Sequence, residues 1–231
     1  MTLNNEQIFN MRKKAVLSKK DQSSIGEWDK HILKLCNLIN SRENYFSLSS
    51  CSGRASLIIA ENRKGPGLFL WRSHERITLK ELKEELDKIK NFDSKEYNGP
   101  ARQRSAPPTA TRTKKELNFK NFISNKSSSL SSQKQINFKC EPCALHVACK
   151  DFESAKKLLD YSIQKAGWKN SGMISSNRQF ILQLVSSEKI QFPIMDKEKV
   201  LVDDNFLEVV VRDTNKILEK SWEKIKRLEK F

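Results

Sequence analysis

The chain has 231 residues, and its 43 Lys and Arg outnumber its 28 Asp and Glu, so its formal net charge is +15. A charge this large favours a polyanionic partner, and nucleic acid is the commonest one. No run of about eighteen apolar residues is present, which argues against a membrane partner. The first twenty residues lack the apolar core of a secretory signal and the five cysteines show no disulfide pattern, so we expect a cytoplasmic protein.

Hydrophobic periodicity predicts two helices at the start of the chain. The first covers residues 4–20, and the capping-box spacing of Ser24 and Glu27 predicts that the second covers about 25–41. Asp21 and Asp29 flank the first turn of this second helix. Two interpretations are open for them: functional carboxylates, or a turn residue and a favourable charge near a helix N-terminus.

A ten-residue run, 45–54, is the most unusual stretch of the sequence. Its first four residues, Tyr-Phe-Ser-Leu, predict a short strand, and Ser49-Ser50-Cys51-Ser52-Gly53-Arg54 follow before a second apolar run. A plain hairpin turn does not need so many donors. Serine hydroxyls and backbone N–H groups can hold an anion, and a guanidinium fits a carboxylate or phosphate. The run is therefore either a ligand-binding loop between two strands or a polar turn with a surface Arg.

The next predicted strand covers residues 68–73 and ends in Trp-Arg-Ser-His74. A histidine in this position suits acid–base chemistry, although capping and surface histidines are common. A helix capped by Thr78 then runs to about Lys90. Residues 92–137 lose all periodicity and are rich in Ser, Pro and basic residues, which predicts a disordered linker that interrupts a single domain. This linker either contacts nucleic acid through its charge or is only a spacer.

The second half of the chain predicts a strand over about 136–150, bent at Pro142 and carrying His146, then a helix capped by Asp151. A polar turn at 168–172, strands at 180–185 and 190–195, and a long helix from Asp204 complete an α+β fold, with a mixed β-sheet flanked by helices. Cys140 and Cys143 have no second ligand pair in the sequence, so no metal is expected.

Five segments, in order, resemble the wybutosine-synthesising methyltransferases and their archaeal relatives. The segments are Asp21-x-Ser23-x-x-Gly26-x-x-Asp29, the run from Tyr45 to Arg54, Trp71-x-x-His74, Glu141-Pro-x-x-Leu-His146-Val and Asn170-Ser171-Gly172. The common catalytic signatures, by contrast, are absent: there is no dinucleotide-binding glycine pattern, no phosphate-binding loop and no nucleophile elbow.

The resemblance implies a methyltransferase that is not of the Rossmann type. It would use S-adenosylmethionine to methylate N4 of a tricyclic base, 7-(3-amino-3-carboxypropyl)-4-demethylwyosine, next to the anticodon of tRNA(Phe). Competing functions are a non-catalytic RNA-binding module and a scaffold for tRNA-modification enzymes. The sequence gives no indication of the oligomeric state.

The resemblance also yields three groups of candidate site residues. The catalytic candidates are Asp29, His146 and His74. The cofactor candidates are Ser49, Ser50, Cys51, Ser52, Gly53 and Arg54. The candidates for contact with RNA or with the modified base are Asp21, Ser23, Trp71, Asn170, Ser171 and Gly172. For Trp71, a place in the core is the alternative.

Overall fold

The structure is a computed structural model that describes residues 4–18, 29–60, 68–93, 135–176 and 179–231. The described helices are α1 (Asn5–Leu17), α2 (Lys30–Ser41), α3 (Leu79–Asp93), α4 (Phe152–Gln164) and α5 (Asp204–Leu228). The described strands are β1 (Tyr45–Cys51), β2 (Arg54–Ile59), β3 (Phe69–Ser73), β4 (Ile136–Glu141), β5 (Ala144–Cys149), β6 (Gly172–Ser176), β7 (Gln179–Val185), β8 (Ile190–Asp196) and β9 (Lys199–Val200). No helix within these ranges combines the length and apolarity needed to cross a membrane.

The strands form two antiparallel sheets. The first has the order β1-β5-β7-β6 and the second β3-β2-β4-β8-β9. Three segments pass directly from one sheet to the other: β1 to β2 through Ser52-Gly53, β4 to β5 through Pro142-Cys143, and β7 to β8 through residues 186–189. The predicted α+β class is confirmed, with two antiparallel sheets in place of one mixed sheet.

Helix α5 packs behind these bends and joins the two sheets. The Cys143 N–H donates to Ser221 Oγ at 3.3 Å, and Leu218 lies close to Gly53. The C-terminal part of α5 packs with α2 and α4 on the first sheet, around Trp168 and Leu182. Its N-terminal part packs with α3 on the second sheet. Both sheets therefore have an inner face turned toward α5 and an outer face turned away from it.

The structure differs from the prediction at the start of α2, at two short strands and at the ends of the linker. Helix α2 does not begin near residue 25, because Asp29 is its N-cap and accepts a hydrogen bond from the His31 N–H at 3.2 Å. Ser24 and Glu27, the predicted capping box, lie outside the described residues. Strands β6 and β9 were not predicted, since both are short and neither shows a clear alternation of apolar and polar residues. The predicted linker, 92–137, overlaps a structured element at each end, because α3 continues to Asp93 and β4 begins at Ile136. Residues 94–134 lie outside the described part of the chain.

The serine-rich run is mostly strand, so the prediction of a loop between two strands is wrong for Ser49, Ser50 and Cys51. Ser49, Ser50 and Cys51 belong to β1 and pair with residues 144–146 of β5. Only Ser52 and Gly53 lie between β1 and β2. Serine has a low intrinsic preference for strands, but the neighbouring strand supplies partners for the backbone, and this tertiary pairing decides the conformation.

A buried lysine ties α5 to the bend between β7 and β8. Lys224 Nζ donates to Ser186 Oγ at 2.6 Å and to both carboxylate oxygens of Glu188, at 2.7 and 2.5 Å. Burial alone would raise the pKa of Glu188, but the hydrogen bonds from Lys224 and Ser186 lower it to about 2. The carbonyl of Lys224 accepts from Trp168 Nε1 at 3.2 Å, so the same turn of α5 is fixed on two sides.

We predict that Lys224→Met lowers the free energy of unfolding by about 2–3 kcal/mol, because Glu188 loses its cation while remaining partly buried. The double variant Lys224→Met/Glu188→Gln should recover at least half of that loss, since no unpaired charge is left. Urea denaturation of the three proteins measures both effects. Equal stability of the single variant and the parent would contradict this role for the ion pair.

Candidate active site

Three parts of the chain meet at the carboxylate of Asp29. Its Oδ2 accepts hydrogen bonds from the Ser52 N–H at 3.1 Å, from the Ser52 hydroxyl, and from His74 Nδ1 at 2.9 Å. Its side chain is only 7 % exposed. A buried carboxylate is stable only with such partners. Asp29 therefore fixes the start of α2, the bend after β1 and the end of β3 relative to one another.

His74 is held as an imidazolium. Its Nδ1 lies 2.9 Å from Asp29 Oδ2 and 3.0 Å from the carbonyl oxygen of Gly53. Both neighbours only accept hydrogen bonds, so Nδ1 carries a hydrogen. Burial would lower the pKa of His74, but the hydrogen bonds to Asp29 and Cys51 raise it to about 10. Burial would raise the pKa of Asp29, but the hydrogen bonds from His74 and Ser52 lower it to about 2.

Two local features of the sequence make this arrangement possible. Gly53 has φ +103, and an added Cβ would lie 3.3 Å from the carbonyl oxygen of Glu141, so only glycine fits the bend. Glu75, next to His74, contacts Lys30 at 2.6 Å and His31 at 3.1 Å. The end of β3 is thus attached to the first turn of α2 by two adjacent residues of opposite charge.

A second polar pair lies on the outer face of the first sheet. Ser49 of β1 and His146 of β5 are direct partners in the register, and Ser49 Oγ lies 2.8 Å from His146 Nδ1. The same row continues through Gln183 of β7 to Gly172 of β6. Helix α1 packs further along this sheet through Phe9. The row is partly or fully exposed at every position.

Strand β1 connects the two polar pairs. Ser49 and Cys51 are two residues apart on one strand, so they face the same side with Cα atoms about 7 Å apart. Cys51 Sγ lies 3.9 Å from His74 Nδ1. The structure therefore brings Asp29 and His74 into contact at the bend that follows β1, and it places His146 beside Ser49 on the outer face of the same strand.

The side chains of Asp29, Cys51 and His74 are also of types that bind metals, and their ligand atoms lie within 4.8 Å of one another. The ion pair and a metal are alternatives at this place, because the Nδ1 that faces the other two residues is protonated and has no free electron pair. The expectation that no metal binds here stays a prediction.

The six cofactor candidates do not share one surface. Ser50 pairs with the core residue Leu145, so it lies on the face opposite to Ser49 and Cys51. The Ser52 side chain is fully buried against Asp29. Arg54 is the first residue of β2, and its Nε donates to Glu141 at 2.6 Å. Only Ser49 and Cys51 keep side chains on the outer face of β1.

The RNA and substrate candidates divide in the same way. Trp71 is 8 % exposed and packs in the core of the second sheet, as the core alternative predicted, so we do not retain it as a stacking residue. Ser171 closes the turn before β6, where its hydroxyl donates to the Trp168 carbonyl and accepts from the Val185 N–H. The Asn170 side chain is exposed. Asp21 and Ser23 lie outside the described residues.

Two contributors were not among the predicted site residues. Glu141 is the first residue of the motif that carries His146, and this motif position could have identified it as a site residue. Gln183 extends the row from His146 to Gly172, and no local pattern marks it, because its role comes only from the pairing of β5, β7 and β6.

Comparison with known proteins agrees with the motif-based resemblance. The sequence profile of a family described as methyltransferase TYW3 matches residues 11–231. An Archaeoglobus fulgidus protein named tRNA(Phe) 7-((3-amino-3-carboxypropyl)-4-demethylwyosine(37)-N(4))-methyltransferase is 29 % identical over 226 residues, which cover 97 % of this chain and 91 % of the relative. A Danio rerio protein named tRNA wybutosine-synthesizing protein 3 homolog is 26 % identical over 229 residues, which cover 96 % of this chain and 72 % of the relative. The solved structure of the PH1069 protein from Pyrococcus horikoshii superimposes with a TM-score of 0.71 at 26 % identity, covering 99 % and 97 % of the two chains.

We predict that the ion pair makes stability depend on pH. The folded chain keeps the His74 proton up to about pH 10, whereas the unfolded chain loses it above about 6.5. The stabilisation is therefore complete below pH 6.5 and is lost as the pH rises toward 10, by ~2 kcal/mol for this partly exposed ring. On the acid side, the contribution of Asp29 is lost as the pH falls from 3.8 to about 2.

The measurement is urea denaturation across this alkaline range, with His74→Gln as the matched variant that keeps a donor but has no titratable charge. Burial raises the pKa of the Cys140, Cys143 and Cys149 thiols to about 12, so above about pH 9 they also lower the stability of the folded chain. This loss is the same in parent and variant, so the difference between the two curves reports His74. The variant should show a clearly smaller loss than the parent. Parallel curves would mean that His74 is not held as an imidazolium.

Proposed function

This chain belongs to the TYW3 methyltransferase family, and from that premise we propose that it methylates N4 of 7-(3-amino-3-carboxypropyl)-4-demethylwyosine in tRNA(Phe), with S-adenosylmethionine as methyl donor. The names of its relatives support this substrate, and a net charge of +15 suits binding to tRNA phosphates. The observation that carries the proposal is that one strand, β1, carries Ser49–His146 on its outer face and leads directly into the bend that holds Asp29–His74. A cytoplasmic site of action is part of the proposal.

The residues present fit this cofactor. S-adenosylmethionine supplies an electrophilic methyl group on a sulfonium and carries a carboxylate at its amino-acid end. The His74 imidazolium suits a carboxylate, because its Nε2 has no partner among the described residues and can donate a charge-assisted hydrogen bond. Gly172 has no positive φ, and an added Cβ would meet no atom within 4 Å. Nothing in the described chain requires glycine there, which fits a place where a ligand approaches the backbone.

The ring nitrogen that accepts the methyl group must release a proton, so a base near it aids the reaction. Asp29 is poorly suited, because it is buried and its hydrogen bonds lower its pKa to about 2. His74 is protonated already. His146 is bound to a serine hydroxyl and to no carboxylate among the described residues. We therefore propose that His146 Nε2 accepts the proton that the ring nitrogen releases. Nδ1–H donates to Ser49 Oγ in this arrangement, so Nε2 keeps its free electron pair.

Asp29 acts through His74 and is a positioning residue. It fixes the ring orientation through Nδ1 and keeps the positive charge on the ring. His74 in turn offers Nε2–H, which has no partner among the described residues, as a donor next to the bend. Positioning of this kind matters because methyl transfer needs donor and acceptor atoms in line, and alignment with exclusion of water can supply much of the acceleration.

A non-catalytic RNA-binding module is the competing function. It would bind tRNA and would not bind S-adenosylmethionine, and a bare scaffold would bind neither. Calorimetric titration with S-adenosylmethionine separates these functions from the proposed one. Micromolar binding is expected for the proposed function.

We predict that His146→Gln lowers the rate of methyl transfer into hypomodified tRNA(Phe) by about 100-fold or more, the usual contribution of a general base. Ser49→Ala should cost about tenfold, because only the tautomer preference is lost. The affinities of both variants for S-adenosylmethionine and for tRNA, measured separately, should stay within threefold of the parent. Near-parental rates in His146→Gln and in Asp29→Ala would remove this site assignment.

We predict that Gly172→Val leaves the unfolding free energy unchanged or slightly higher, because the position is an open strand site that favours β-branched residues. The same change should lower methyl transfer by about tenfold or more, because the added side chain occupies ligand space. Ser176→Val, an exposed position of the same strand, is the matched control and should keep full activity. Full activity of Gly172→Val would show that no ligand approaches this row.

A further inference from the structure

The outer face of the second sheet carries a group of basic residues around one aromatic ring. In the register, Ser56 of β2 pairs with Arg72 of β3 and with Lys139 of β4. Arg54 lies on the same face two residues earlier, and Phe69 pairs with Ile58 two residues later. We call Arg54, Phe69, Arg72 and Lys139 the basic face. The described helices that contact this sheet, α3 and α5, pack on its other side.

The ring of Phe69 organises the two guanidinium groups. The Arg54 Cζ lies 4.8 Å and the Arg72 Cζ 5.9 Å from the ring centroid, which are cation–π distances. Arg54 also donates to Glu141. Ser56 beneath them is fully buried, while the two arginines and Lys139 are half-buried. The two guanidinium groups are thus held against the ring and not free in solvent.

The positive charge on this face exceeds what the described chain neutralises. Glu141 pairs with Arg54, but no carboxylate of the described residues forms an ion pair with Arg72 or Lys139. Burial lowers the pKa of Arg72, and the nearby charge of Arg54 lowers it further. Two like charges held side by side are unfavourable in the free protein. An anion between them would relieve the repulsion.

We propose that the basic face binds the single-stranded RNA segment beside the target base, an inference that rests on the proposed function. Guanidinium groups and lysine neutralise phosphates, and unpaired bases stack on aromatic rings or guanidinium planes. Fixed cations combined with a ring on an open strand face fit such a segment better than they fit a peptide or a membrane surface.

The basic face is continuous with the candidate active site. Arg54 directly follows Gly53, whose carbonyl contacts His74, and Arg72 lies two residues before His74 on the strand that ends there. The outer faces of both sheets lie on the side away from α5. A strand bound along β2 and β3 therefore leads toward the bend, which places the next nucleotide at the outer side of β1.

The experiment compares full-length variants for binding to hypomodified tRNA(Phe) by fluorescence anisotropy at several salt concentrations. Arg72→Gln and Lys139→Gln should each weaken binding about tenfold and lower the salt slope by about 0.7–1. Phe69→Leu, which keeps an apolar side chain beside Ile58 but loses the ring, should weaken binding about tenfold with little change in slope. Arg212→Gln and Lys216→Gln, exposed on α5 on the other side of the sheet, are the charge-matched controls and should change affinity less than threefold.

Steady-state kinetics of methyl transfer with the same variants separate a failure of the basic face from a failure of the proposed function. With the basic-face variants, KM for tRNA should rise while kcat and the affinity for S-adenosylmethionine stay at parental values, and thermal unfolding should confirm that the variants are folded. Loss of affinity in the basic-face variants, with the controls unaffected, supports this surface even if the parent chain transfers no methyl group. Binding of the variants equal to the parent, or an equal loss in the α5 controls, overturns the basic face even if methyl transfer is observed.

Discussion

The buried carboxylate of Asp29 is the constraint on which the site depends. It cannot stay ionised in the interior without partners, so it gathers a backbone N–H and a hydroxyl from the bend at Ser52 and an imidazolium from the end of β3. These contacts determine where β1 leaves the first sheet. His74 Nδ1 also lies 3.9 Å from the Sγ of Cys51, which faces the same side of β1 as Ser49, while Leu218 of α5 packs against the bend at Gly53.

The two histidines differ in their neighbours, and that difference assigns their tasks. His74 is paired with a carboxylate, and the resulting pKa of about 10 keeps its charge across the physiological range. His146 is paired with a serine hydroxyl. One therefore serves as a fixed cation and donor and the other as the proton acceptor, as in other sites where environment separates two similar groups. The basic face extends the same outer side along β2 and β3, so chemistry and RNA contact share one continuous surface.

The sequence predicted those parts of the molecule that local patterns determine. Local patterns predicted the apolar stripes of α2, α3 and α5, the cap at Asp151, the start of α5 near Asp204 and the bend at Pro142. The serine-rich strand was not, because its conformation comes from pairing with β5. Asp29 was recognised as a candidate, but the three donors to its Oδ2 come from residues 23 and 45 positions away. Trp71 was a candidate for contact with RNA because it stands in a motif, but it packs in the core, since a motif residue can also have a structural role.

A structure of the chain with S-adenosylhomocysteine, the product that retains the carboxylate and the sulfur, tests the central claim most directly. The account predicts that this carboxylate lies within hydrogen-bonding distance of His74 Nε2 and that the sulfur lies on the outer side of β1, between the bend and His146. The structure also has a cavity of about 380 Å³ lined by Arg42, Tyr45 and Phe231, away from these residues. Binding of the product in that cavity, with the outer side of β1 left empty, would contradict the account.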